Sequence, residues 1–180
     1  MILYHGTTKI INNIDLRECR LRTDFGRGFY LSSKLGTARE WAKSKAGFSG
    51  ISTVVRYVIN NNLLTDGLMN CLRFDGTSVE WLNFIKNNRR LEPEEITNYE
   101  PRHTFDVVSG PIANDKVADV VEAYCKDKIG AIEAIERTKA LPNVFQLSLH
   151  TQKALNYIIS ASYSQLSAGK WSEWELIITS

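Results

Sequence analysis

The sequence predicts a single α+β domain with several short strands. Two observations carry that class. Segments rich in β-branched and aromatic residues are short, and they are separated by stretches whose apolar residues fall at helical spacing. The 180 residues suffice for one sizeable core, and no repeat, low-complexity tract or domain boundary divides them. One domain is therefore expected over residues 1–180.

Taken in order, Met1 to Tyr4 suits a first strand that delivers His5, and Gly6-Thr7-Thr8 is turn chemistry that should end it. Ile10 to Arg22 reads as a loop with room for a short helix, ahead of a strand over Gly28 to Ser32. The glycines at 26 and 28 leave space for a ligand to approach the backbone. Ser33 is positioned to cap a helix running to Ala46, with Leu35, Ala38, Trp41 and Ala42 at helical spacing. After a Gly/Ser linker, Thr53 to Ile59 is a strand by composition, and Cys71 to Phe74 a shorter one. Val79 to Asn87 has helical periodicity, whereas Leu91 to Thr104 is acidic, holds two prolines and reads as a loop. Asp106 to Pro111 is a strand running into a turn, and Val117 to Ile135 a helix pair broken at Gly130. Asn143 to Leu149 predicts a strand, Thr151 to Ser160 an amphipathic helix, and Trp174 to Thr179 a last strand.

Composition narrows the function classes. A net charge of +2 gives no broad field for nucleic acid or a membrane surface. Cys19, Cys71 and Cys125 are odd in number, widely spaced and outside any metal pattern with the three histidines, so reduced thiols in a cytoplasm and no bound metal are expected. The N-terminus lacks a basic-then-apolar leader, and no apolar run approaches the ~20 residues that span a bilayer. Delivery as an effector without a classical signal stays compatible with this.

The informative stretch holds Tyr4-His5-Gly6-Thr7, then Phe25-Gly26-Arg27-Gly28-Phe29-Tyr30-Leu31-Ser32, then Thr37-Ala38-Arg39-Glu40-Trp41-Ala42. It resembles the H-Y half of the H-Y-E class of ADP-ribosyltransferases, which includes the diphtheria-type toxins and poly(ADP-ribose) polymerases. Those enzymes carry H-G-S/T on a strand, F-G-K-G-I-Y-F-A, and a second aromatic eleven residues after the tyrosine, here Trp41. The chain is still more similar to a bacterial family related to these transferases. Its L-Y-H-G-T, D-F-G-x-G-F-Y-L, A-x-x-W-A, W-L-x-F-I-x-x-N-R and G-P-I/V-A-N-D-K segments all occur here, the last two at Trp81 to Arg89 and Gly110 to Lys116.

The resemblance implies two short packed β-sheets around an NAD cleft with flanking helices. NAD is the implied substrate, and Tyr4, His5, Gly6, Thr7, Arg27, Gly28, Phe29, Tyr30, Ser32, Thr37 and Trp41 are the implied binding residues. Gly6 would meet the nicotinamide carboxamide through its backbone, where no Cβ blocks approach. His5 would bond the adenine-side ribose with Thr7 fixing the loop, while Tyr30 and Trp41 sandwich the nicotinamide. Breaking the glycosidic bond makes an oxocarbenium ion, so orienting the ribose and stabilising positive charge are the remaining tasks.

The third position departs from the class. Where a glutamate is expected before a late strand and helix, Gln146 stands ahead of Leu147-Ser148-Leu149-His150-Thr151. A glutamine can orient a ribose hydroxyl but supplies neither negative charge nor a base. Acceptors that arrive already nucleophilic, such as a carboxylate, phosphate or ring nitrogen, would suit it. Glu173-Trp174-Glu175 is a rival, an E-x-E similar to that of arginine-modifying toxins; Gln146 is preferred because the strand and helix after it also fit. His5, Tyr30 and Gln146 are thus the expected catalytic set.

Blander readings accompany each piece. A His-Gly after a strand is most often a turn, and Trp41 on a helix is by default core. Asn114-Asp115-Lys116 either lines the acceptor side or caps the helix from Val117. Arg20, Arg22 and Arg27 either meet a pyrophosphate or phosphorylated target or, for Arg20 and Arg22, form a solvated loop. His103 and His150 have no partner spacing and read as structural or exposed. The expected activity is mono-ADP-ribosyl transfer to a macromolecular acceptor, protein or nucleic acid, by a toxin or effector with a neutralising partner protein. The alternatives are NAD glycohydrolysis and a catalytically silent module that binds NAD or ADP-ribose.

Overall fold

The computed structural model describes residues 1–113, 115–139 and 144–177. Among them, nine strands and six helices form one α+β arrangement on an open, mixed sheet. The sheet order is β4-β5-β6-β2-β1-β3-β7-β8, with β9 also on β7. Here β1 is Ile2–Thr7, β2 Phe29–Ser32, β3 Thr53–Ile59, β4 Cys71–Arg73 and β5 Val107–Pro111. The later strands are β6 Phe145–Leu149, β7 Ile158–Ser167, β8 Lys170–Trp171 and β9 Glu175–Leu176. Among the described strands only β4 and β5 run parallel.

The sheet is continuous, in place of the two packed sheets expected, but it is pinched. Between β1 and β2 the ladder consists of one pair, Tyr4 opposite Ser32. Elsewhere it is longer: β3 pairs with β1 through six residues on one side and with β7 through seven on the other.

One face of the sheet carries Leu3, Phe29, Leu31, Val55, Tyr57, Leu147 and Leu149 in a single buried cluster that includes Ala154 and Leu155. The opposite face is covered by helices in two groups. Helix α1 (Leu35–Ala46) packs Ala38 and Ala42 on Val54, with Tyr4, Leu35, Trp171 and Trp174 around them. Helices α2 (Val79–Arg89), α4 (Asp115–Cys125) and α5 (Ala131–Lys139) enclose Phe25, Trp81, Leu82, Ile85 and Val108. The first group lies over β1 and β3 and the second over β5, so β2 and β6 run between them.

Several expectations hold closely, the strand at Thr53–Ile59 without change. Others shift for physical reasons. β1 continues through Gly6 and Thr7, because pairing with Val54 and Thr53 overrides the turn chemistry. Ser33 does not cap α1; its hydroxyl bonds the Phe145 carbonyl, and the buried Ser32 hydroxyl takes the Lys34 N–H. The acidic loop contains a short helix, α3 (Pro93–Thr97), started by a capping box between Glu92 and Glu95 with proline at its first position.

The expected helix over Thr151–Ser160 stops after α6 (Gln152–Leu155). From Ile158 the chain is a strand, with the alternation Ile-Ser-Ala-Ser-Tyr-Ser over Ile159 to Ser164, and its pairing with β3 decides the matter. Residues 143 and 178–179 of the two expected late strands lie outside the described residues, as does Asn114. No helix is long and apolar enough to cross a membrane among the described residues.

Candidate functional site

The pinch in the sheet defines the site. Continuing the Tyr4–Ser32 register would oppose Gly6 to Tyr30 and Thr7 to Phe29, yet neither pair forms. Instead the His5 imidazole reaches across, its Nδ1 2.7 Å from the Tyr30 carbonyl oxygen. A carbonyl only accepts, so Nδ1 carries the proton and Nε2 is left as an acceptor. Among the described residues no protein group bonds Nε2. The ring stacks on Phe29 at 4.7 Å, and burial, helped by Lys45, holds its pKa down at about 4. Lys45, from α1, also brings its ammonium to the Gly6 carbonyl at 3.4 Å.

Tyr30 points to the opposite face from His5. Its ring runs near-parallel to Phe25 at 6.1 Å, and its hydroxyl accepts from the Phe25 N–H at 2.8 Å. Thr23 Oγ1 and the Gly26 carbonyl lie within 3.0 Å of that hydroxyl. Burial, then the nearby Asp24 carboxylate, pushes the phenol pKa well up, so Tyr30 stays neutral. It is a fixed surface rather than an acid or base.

Gln146 lies on the Tyr30 face, directly opposite Ser32 on β2 and Gly110 on β5. With Tyr4 opposite Ser32, one row of residues crosses four strands: Gly110, Gln146, Ser32, Tyr4. Gln146 donates from Nε2 to Asp24 Oδ2 at 3.0 Å, and Asp24 Oδ1 takes Arg89 of α2. Among the described residues its carbonyl Oε1 has no protein partner.

The remaining expected residues fall in three groups. Trp41 is 50% exposed on α1, with the Lys45 ammonium 5.5 Å from its ring centre, and it does not stack with Tyr30. Phe29 and Thr7 are buried, Phe29 in the main core, and Thr37 sits in the first turn of α1. Arg27 lays its guanidinium over Tyr99 at 4.5 Å, and Arg22 donates to the Leu91 carbonyl, so neither is a free loop cation.

The glycines serve packing first. A Cβ on Gly6 would sit 2.2 Å from the Ala38 carbonyl oxygen of α1, and one on Gly28 2.5 Å from Ser148 Oγ. The space read from sequence as room for a ligand is taken by protein, which leaves the backbone edge of β1 as the approach to Gly6. Glu175 bonds Tyr163 on β7, with three strands between it and the β6 that carries Gln146.

Sequence reasoning missed the polar frame behind these groups. His103 Nε2–H donates to the Phe25 carbonyl at 2.8 Å and His150 Nδ1–H to that of Arg27 at 2.8 Å, their rings edge to face at 4.7 Å. Together they hold the Asp24–Gly28 loop from behind. Asp24 and Arg89 both stand inside motif segments, but their pairing across 65 residues left no local signal. Among the described residues no three His, Cys, Asp or Glu side chains gather as a metal site.

Over residues 1–159 the sequence matches the family described as a protein of unknown function, DUF3990, and the chain belongs to that family. No curated protein and no solved structure matches it.

Proposed function

We propose that this DUF3990 member binds NAD at the gap between β1 and β2 and transfers its ADP-ribose to a macromolecular acceptor, within an ADP-ribosyltransferase fold. The observation that carries the reading is a pair of acceptors unengaged among the described residues, His5 Nε2 and Gln146 Oε1, on the strands to either side of the one bearing Tyr30. Ribose hydroxyls are donors and suit such acceptors. Tyr30 offers a fixed aromatic surface, and Trp41 a half-exposed one that can close over a ligand. The Lys45 ammonium at the end of β1 favours an anionic group there.

As the bond to nicotinamide breaks, positive charge develops on the ribose. Gln146 meets it with a carbonyl dipole rather than a full charge, so the acceptor must bring its own nucleophilicity, as a carboxylate, phosphate or ring nitrogen does. Roles as a toxin or effector, and a neutralising partner protein, belong to the same proposal through the motif resemblance. The test is incubation with adenylate-labelled NAD and whole-cell extract, followed by separation of protein, nucleic acid and small molecules. Label on a macromolecule is expected. Free ADP-ribose with no labelled macromolecule would make the protein a glycohydrolase, and unconsumed NAD would leave only a binding module.

A further inference from the structure

We infer that Asp24 is a positioning residue: it fixes the Gln146 amide with its oxygen turned out, and so makes glutamine rather than glutamate the fitting residue at 146. The inference rests on the NAD-cleaving reading above. The geometry is a three-member chain, Arg89 to Asp24 to Gln146, that engages both oxygens of the Asp24 carboxylate. Asp24 Oδ1 accepts from Arg89 Nη2 at 2.5 Å and Nε at 3.0 Å, which leaves Oδ2 for Gln146 Nε2 at 3.0 Å. An ionised carboxylate only accepts, so the amide must present its NH₂ to Asp24 and its Oε1 away from it. Asp24 is 12% exposed and Arg89 25%, so water competes weakly for these bonds. The other titratable groups around this chain are the Tyr30 phenol on β2, and the Cys125 thiol and Glu122 carboxylate on α4, with the Lys86 and Arg90 cations on Cys125.

A glutamate at 146 would set a second carboxylate about 3 Å from Asp24, where one of the two must hold a proton. The negative charge that the sequence lacks at 146 therefore stands one hydrogen bond behind it. The polarity of the pair is also reversible in principle. An asparagine at 24 would give its oxygen to Arg89 and its NH₂ to residue 146. Gln146 would then flip, turning a donor outward, whereas a glutamate there would accept from the asparagine and keep an acceptor facing out.

The test compares nicotinamide release from NAD, with kcat and KM determined separately, in the wild type, Asp24→Asn, and Asp24→Asn/Gln146→Glu. Asp24→Asn should lower kcat at least tenfold, and adding Gln146→Glu should restore it to within about threefold of the wild type. Loss of activity that the second change does not rescue, or no loss at all, overturns the assignment, because a purely structural role of Asp24 predicts no rescue. A separate arm measures stability against pH in Gln146→Glu and in the double variant. The crowded carboxyl has a raised folded pKa, so Gln146→Glu should lose stability relative to wild type as pH rises from about 5 to 8, and the double variant should not. Parallel pH curves for the two variants overturn the pairing. If the wild type releases no nicotinamide, the functional reading fails, and this stability arm still decides whether Asp24 orients residue 146.

Discussion

His5 and His150 are both half-buried neutral imidazoles, and each holds a backbone carbonyl, Tyr30 and Arg27 respectively. Burial depresses each pKa from 6.5 to about 4, with Lys45 adding to the effect at His5 and His103 at His150. The carbonyl bonds oppose the shift but do not cancel it. The unfolded chain takes up these protons below about pH 6.5 and the folded chain does not. Their contribution to stability is thus complete above about 6.5 and is lost as pH falls toward 4. The loss is at most about 1.4 kcal/mol per pH unit for each histidine. Urea midpoints at pH 7.5, 6 and 5 should fall in that order, and His150→Gln should make the fall shallower by about one proton. An unchanged slope would place His150 outside the acid transition. That a histidine so placed reads from sequence as structural or exposed is unsurprising, since both partners that bury it come from distant segments.

Elements were legible where local chemistry and pairing agree. β3 has β-branched residues on both faces and a strand on each side, so composition and context point the same way. α2 has the apolar stripe that its periodicity predicts, and the structure adds the Ser78 cap. The failure at Thr151–Ser160 is of another kind. Thr151 does start a helix, accepting from the Ala154 N–H, and it also donates to Asp106 Oδ1 at 2.7 Å. The helix ends because Ile158 onward pairs with β3, which no window of sequence reveals. Thr151 therefore joins a cap to a tie between β5 and β6's exit. Thr151→Ala should cost about 1–2 kcal/mol, the range for a lost cap plus a hydrogen bond, read as a lowered urea midpoint at unchanged slope. Thr151→Ser, which keeps the hydroxyl, should recover most of it.

At the level of the whole molecule, the single-pair bridge between β1 and β2 raises the question of whether the sheet unfolds as two halves. The core argues that it does not. Phe29 and Leu31 of β2 pack with Leu3, Val55 and Tyr57 on one side of the pinch and with Leu147, Leu149 and Val107 on the other. Opening the pinch fully would expose this shared cluster, at roughly 25 cal/mol for each Å² of apolar surface. Backbone circular dichroism and tryptophan fluorescence should therefore report one coincident transition, since Trp81 lies in one helical group and Trp171 and Trp174 in the other. The site was read in outline from sequence because its groups sit in short motifs on β1, β2 and β6. Its orientation was not, because Arg89 arrives from α2 while Asp24 and the two histidines come from the loops before β2, before β5 and after β6.

NAD cleavage at the β1–β2 gap, with Gln146 at the reacting ribose, is the central proposal. Release of labelled nicotinamide from NAD, by wild type and by Gln146→Ala with a matched melting curve, tests it most directly. The wild type should release nicotinamide, and the variant should fall at least tenfold while remaining folded. Equal release by both proteins, or none by either, would contradict the assignment.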